Sequence, residues 1–262
     1  MKTFWSVLLA MVVMLVQAIG GSLPASLLLD RANPLREPLG TLSVTLTALL
    51  LVYLIRRFLY GRPWAALGWR NPSRVLLGVL AGAVPVLAAK GLSLAVGEST
   101  WVSADPSLYA GVPLVAVVIL LGQAFPEELL WRGHLFDTLS GRLSPRTVMI
   151  ILSVGFGAMH IISGGGGNTV TERLLYVVMA TALGFSCTAA RVRGGGLWMA
   201  VGVHLGFHLG LRVLPVQPAH LGVLLILMAI TLTLAGAALL RGHLGGHGLI
   251  SPDPQASKGV AA

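Results

Sequence analysis

Long apolar runs alternate with short polar breaks along this chain. Cut at its charged residues, it leaves eight apolar runs at 4–29, 38–55, 75–96, 106–136, 147–162, 174–190, 194–211 and 220–240. A helix that crosses a bilayer needs about 20 mostly apolar residues. Each run therefore predicts a membrane helix, with the runs at 38–55, 147–162, 174–190 and 194–211 the shortest. The expected fold is all-α, a polytopic transmembrane helical bundle of about eight membrane-spanning helices. Residues 1–241 read as one multi-pass domain with a functional core at 120–212, and the Gly- and Pro-rich segment 242–262 reads as a disordered tail. His243 and His247 in that tail read as solvated. The first run continues to Leu29, too long for the apolar core of a signal peptide, so it reads as an uncleaved span. Gly164 to Gly167 reads as a flexible turn, because Asn168 and Thr169 do not supply the Lys and hydroxyl that a phosphate loop requires.

Composition agrees. The chain of 262 residues is 55% hydrophobic and 10% charged, with a mean hydropathy of +0.85. A soluble domain carries about 25% charged residues. These values exclude a soluble enzyme, a disordered protein and a fibrous repeat. The lone Cys187 excludes a disulfide framework.

The net charge of +9 raises nucleic acid as a partner, but position removes it. With the N-terminus inside, twelve Lys and Arg fall in inside segments and four (Arg31, Arg36, Arg173 and Arg212) in outside loops. That bias follows the positive-inside rule and predicts a cell-membrane protein with both termini cytoplasmic. The basic residues are scattered over several segments, not gathered on one face, so the expected partners are the lipid bilayer and a peptide or membrane-protein substrate, with no nucleic acid. Lys90, inside the third run, is expected to snorkel or to meet a helix end. Trp5, Trp64, Trp69, Trp101 and Trp198 lie near run ends and read as interfacial belts.

Ionisable residues at membrane depth are costly and mark functional sites. The fourth run holds Phe125-Pro126-Glu127-Glu128, then Arg132. Glu128 and Arg132 are i, i+4 and can pair on one helix face, while Glu127 is rotated about 100° away. Pro126 has no N–H and is expected to free the carbonyl of Gly122. His160 closes the fifth run after Phe156, and the seventh carries His204 and His208, also i, i+4. Counted from the inner turns at about 1.5 Å per residue, Glu127, His160 and His204 all lie about 15–20 Å deep. His134 and His220 read instead as ordinary helix and loop hydrogen-bonders.

Two Glu and three His at one level support hydrolysis. Glu and His ligate zinc, and metal-bound water can attack an amide. Without metal, a desolvated Glu serves as general base and His stabilises the oxyanion. Two other classes fit the same polar cavity: a non-catalytic regulator or scaffold that holds a partner's membrane segment, and a proton relay. A relay would come with inverted repeats, and nothing else in the chain resembles residues 120–136.

With these residues in order, the chain resembles the CPBP family, which includes type 2 CAAX prenyl proteases and bacteriocin-processing, Abi-like enzymes. The family pattern, E-E-x-x-x-R, then F-x-x-x-H, then H-x-x-x-N or H-x-x-x-D, reads here as Glu127-Glu128 with Arg132, Phe156 with His160, and His204 with His208. The resemblance implies an intramembrane endopeptidase with Glu127, Glu128, His160 and His204 as catalytic residues. Arg132 would hold Glu128, with His208 secondary. Glu127, His160 and His204 would be the ligands of a divalent metal such as zinc where one is used, and a metal-free mechanism stands beside it. His208 departs from the pattern, since the family has Asn or Asp at that place.

Overall fold

The computed structural model describes residues 2–103, 106–163, 167 and 169–241. Gly164 to Gly166 and the segment 242–262, with His243 and His247, lie outside the described residues.

Eight helices follow the eight apolar runs. They are α1 (Thr3–Leu28), α2 (Arg36–Leu54), α3 (Arg74–Ala95), α4 (Tyr109–Ser140), α5 (Pro145–Met159), α6 (Val170–Arg193), α7 (Leu197–Val213) and α8 (Leu221–Leu240). Among the described residues seven of the helical segments are long and apolar enough to cross a membrane, and α7 is a shorter apolar helix of 17 residues. Large apolar side chains such as Leu46, Leu80, Leu114, Ile150 and Leu234 point outward all round the bundle. A water-soluble protein does not expose such a belt, and the chain is a multi-pass membrane protein.

Local chemistry sets the helix ends. Ser144 caps α5, accepting from the Thr147 N–H at 3.2 Å, with Pro145 in the first turn where its missing N–H costs nothing. Thr169 and Glu172 cap α6 reciprocally in a capping box. Two short strands, β1 (Ser99–Trp101) and β2 (Val216–Pro218), pair antiparallel with Thr100 opposite Gln217. This ribbon, absent from the hydropathy pattern, ties the end of α3 to the end of α7. Lys90 is buried and donates to the carbonyls of Leu211 (2.5 Å) and Leu214 (2.7 Å). A cation on the unsatisfied carbonyls of a helix end meets the expectation for Lys90.

The tightest packing is between α3 and α7. A Cβ at Gly78 or Gly82 of α3 would collide with the carbonyl of Met199 or Val203, and one at Gly202 or Gly206 of α7 with that of Val75 or Val79. Small residues four apart let two membrane helices touch backbone to backbone. This stripe fixes the rotation of α7 and hence the direction of His204.

Among the described residues, three segments are π-helical. The end of α2 continues as a π-helix over Ile55–Tyr60, and α4 contains π segments at Leu120–Ala124 and Leu129–Leu135. Arg56, just past the apolar run at 38–55, is a buried helical residue. Its guanidinium donates to Asp137 at 3.0 Å and to the Pro63 carbonyl at 2.5 Å, while its Nε has no partner among the described residues. Near Pro126, the π register adds a second carbonyl to the one expected to be freed. In π register the Phe125 N–H bonds to Leu120 O, five residues back. Position 126 would continue that ladder onto Leu121 O, and Pro126 has no N–H to give. Thr45 of α2 donates to the Leu121 carbonyl in its place.

Candidate active site

The two π segments bracket Phe125–Glu128, so the adjacent carboxylates sit on a short α turn between two widened ones. π turns inside α-helices recur at functional sites. Glu127 and Glu128 meet different surroundings, as their rotation about the axis requires.

Glu128 is fully buried. Its Oε1 accepts from Arg132 Nη1 at 3.0 Å and from His204 Nδ1 at 3.0 Å. Arg132, also fully buried, donates through Nη2 to the Gly184 carbonyl (2.6 Å) and through Nε to Thr188 Oγ1 (3.3 Å), both on α6. The i, i+4 pair foreseen from spacing therefore exists and forms one knot across α4, α6 and α7. A buried ion pair is costly unless its remaining hydrogen-bonding groups are satisfied; the guanidinium has three acceptors, while Glu128 Oε2 has no hydrogen-bond partner among the described residues.

Glu127 faces the other way. It is half-buried, and its Oε2 has no hydrogen-bond partner among the described residues. Glu127 interacts electrostatically with His204, Glu128 and Arg132.

Phe156 is the hub of the aromatic groups. Its ring centroid lies 4.7 Å from His160, 5.8 Å from His204 and 5.9 Å from Trp131. The Arg132 guanidinium carbon stands 4.7 Å over the same ring. His160 terminates α5, and its Nδ1 lies 2.8 Å from the Phe156 carbonyl. A carbonyl only accepts, so Nδ1 carries the proton and Nε2 presents a lone pair when the ring is neutral. The same reasoning at Glu128 puts a proton on Nδ1 of His204. His208 stacks on His204 with centroids 5.2 Å apart and planes 20° from parallel, and its carbonyl accepts from Arg212.

The structure thus brings Glu127, Glu128, Arg132, His160, His204 and His208 into one neighbourhood. Glu127 and His160 share two neighbours, His204 and Tyr176. His134 and His220 stand apart: His134 packs edge-on against Tyr60, and His220 pairs with Glu98 at 2.9 Å on the β-ribbon side. Among the described residues no group of three or more His, Cys, Asp and Glu is arranged to hold a metal ion. Glu127, His160 and His204 match a divalent cation in donor type but not in convergence.

Two features escaped the sequence. Trp64, Trp69 and Trp198 do not form a belt. They pack with Phe125 into one cluster, with Trp69 6.0 Å from Trp198 and Phe125 stacked 6.0 Å from Trp198. The indole N–H groups of Trp69 and Trp198 donate to the carbonyls of Trp64 and Trp69, both at 3.1 Å. That pairing draws the α2–α3 connection inward, beside the carboxylates. Trp5 and Trp101 remain exposed. The second is Tyr176, near the start of α6, which looks like one more interfacial tyrosine in the sequence and lies 5.9 Å from His160 in the fold.

No curated protein matches the chain. Residues 109–210, the stretch that carries all three motifs from Glu127 to His208, match the family model for Rce1-like type II CAAX prenyl endopeptidases.

Proposed function

We propose that this protein is an intramembrane endopeptidase of the CPBP, CAAX-protease type, with Glu127 as general base. The observation that carries the reading is the division of labour between adjacent carboxylates. Glu128 is fully buried and held through Oε1 by Arg132 and His204, while Glu127, only half-buried, keeps an unpartnered Oε2 within electrostatic reach of His204.

Glu127 Oε2 and His160 Nε2 are both acceptors, so they can hold the two hydrogens of one water. Glu127 takes a proton as the water oxygen attacks the peptide carbonyl carbon. His204, whose Nδ1 is paired with the Glu128 carboxylate, stabilises the oxyanion through Nε2–H in its charged form. The C–N bond then breaks, and the proton held by Glu127 passes to the leaving amine. Glu128 and Arg132 act here by orienting His204 and fixing the helix. His208 stacks on His204 and limits its rotation. Glu127, His160 and His204 do not converge as a ligand set among the described residues, so no step is routed through a metal, and metal analysis of the protein with and without Glu127 tests that point. The substrate class is a peptide or a membrane-protein segment, reached from the cell membrane with both termini of the enzyme in the cytoplasm.

The test uses the purified protein and a fluorescence-quenched peptide ending in a prenylated CAAX sequence. Glu127→Gln and His160→Ala are each expected to lower kcat by at least about 100-fold, the usual worth of a general base or a positioned electrostatic group. Both variants should insert and accumulate like the parent. Parental cleavage rates in both would overturn the assignment, and a cellular phenotype retained by both would favour the scaffold reading.

A further inference from the structure

Gln17 is an amide in the middle of an otherwise apolar helix. It lies 1% exposed on the inward stripe of α1 that Ala10, Val13, Gln17 and Gly21 form, and its Oε1 has no hydrogen-bond partner among the described residues. A buried amide oxygen left unpaired is costly, most of all at membrane depth.

Contacts on either side of Gln17 fix its level. Below it, Trp131 of α4 donates through Nε1 to Met14 Sδ at 3.1 Å, and a Cβ at Gly155 of α5 would stand 3.0 Å from the Trp131 ring and 3.9 Å from Met11 Cε. Met11 to Met14, Trp131 and Gly155 therefore form one layer across α1, α4 and α5. Above it, a Cβ at Gly21 would stand 2.6 Å from Val44 Cα of α2, and the next residue, Thr45, donates to Leu121 O of α4. Rising numbers in α1 thus match falling numbers in α4. At about 1.5 Å per residue, Gln17 stands about 4.5 Å above the layer, Glu127 about 6 Å and His160 about 7.5 Å. Three helices bring these residues to one level. Further up, between α1, α2 and Gly122 of α4, a cavity of about 540 Å³ opens, with Ser22, Ala25, Thr41 and Val44 in its wall.

We propose that Gln17 binds the peptide substrate, its Oε1 accepting a backbone N–H next to the bond cleaved at Glu127. The inference deepens the hydrolase reading and rests on it for its kinetics. A peptide drawn out for cleavage gives up its helical hydrogen bonds, and an N–H bared inside a membrane needs an acceptor. A carboxamide oxygen supplies one without adding a charge beside the two glutamates. Gln17 lies outside residues 109–210, which match the family model, on a helix that supplies none of the reacting groups. Its part is to choose and hold the peptide.

The experiment compares the full-length parent, Gln17→Met and, as a control on the outward face of α1, Ile19→Val, all in detergent. Methionine keeps the length of glutamine and removes its polar atoms. The substrates are the prenylated quenched peptide and analogues in which an ester replaces, one at a time, each peptide bond adjoining the cleaved one, deleting a single N–H. Gln17→Met should raise KM at least about fivefold, the worth of one neutral hydrogen bond, with kcat within about twofold. Ile19→Val should match the parent. One ester analogue should lose at least about fivefold in kcat/KM with the parent and less than about twofold with Gln17→Met, as two partners of one bond do. Without peptide, Gln17→Met should melt no more than about 2 °C below the parent, since no bond within the fold is lost. A larger fall would make Gln17 a structural residue and overturn the proposal, as would a parental KM or esters that cost both proteins alike. Peptide should also raise the melting temperature of the parent more than that of Gln17→Met. That measurement needs no turnover. If the parent cleaves nothing, the hydrolase reading fails, a peptide-induced rise lost in Gln17→Met upholds the binding role, and an equal or absent rise overturns it.

Discussion

Replacing Arg132 with methionine removes one guanidinium and strands everything it holds. The substitution leaves Glu128 at 0% exposure with His204 as its remaining partner, and it leaves the Gly184 carbonyl without its 2.6 Å donor. Breaking a buried pair from one side costs about 3–5 kcal/mol in water-soluble proteins. Interhelical hydrogen bonds inside membranes are weaker, averaging about 0.6 kcal/mol with a maximum near about 1.7, because the unfolded helices also find partners there. Three such bonds give about 2 kcal/mol, so the two figures bracket a destabilisation of about 2–5 kcal/mol. Methionine keeps much of the volume, so the loss reports the charge and not a cavity. Removing both ends of the pair, Glu128→Gln with Arg132→Met, should be milder than Arg132→Met alone by at least about 1 kcal/mol, since no stranded carboxylate remains. Equilibrium unfolding in mixed micelles at rising dodecyl sulfate fraction measures all four corners of the cycle. A double variant as unstable as the sum of the two singles would refute the reasoning, as would an Arg132→Met protein within about 0.5 kcal/mol of the parent.

Two further outcomes follow from the packing. Gly206→Val places a branched side chain against the Val79 carbonyl, so it should force α3 and α7 apart. Fluorescence-detected size exclusion should then show loss of the monodisperse species, whereas Leu234→Val on the outward face of α8 should elute like the parent. Lys90→Met uncaps the carbonyls of Leu211 and Leu214 and should lower stability by about 1–3 kcal/mol, seen as a reduced melting temperature in detergent. An unchanged melting temperature would mean that water replaces the ammonium there.

The span positions were legible because hydropathy alone decides what enters lipid, and the Glu128–Arg132 contact was legible because i, i+4 spacing puts two side chains on one face in any α-helix. Rotation was not. Lipid tails and a bundle interior are equally apolar, so hydropathy does not say which face of α7 turns inward. The Gly78, Gly82, Gly202 and Gly206 stripe carries that information, and it becomes readable only once α3 and α7 are known to be partners. The link from Glu128 to His204 depends on it. Tyr176 was hidden for a related reason, since a tyrosine near a helix end is ordinary in a membrane protein. The tryptophans misled because Trp64 and Trp69 sit near a run end in sequence but on a connection that packs against Trp198 of α7 in space.

The widened turn at Leu120–Ala124 makes the effect of a length change in α4 depend on where it falls. Such a turn holds one more amino acid than its α counterpart over the same rise. Deleting a single residue from it would let the segment relax into ordinary 3.6-fold winding, with the two halves keeping their relative rotation and both glutamates their direction. The same deletion in an ordinary turn just upstream would turn everything downstream by about 100°. A frame slip of one position is thus absorbed at one place and switches the protein off at another, with every functional group, its insertion and its hydropathy kept.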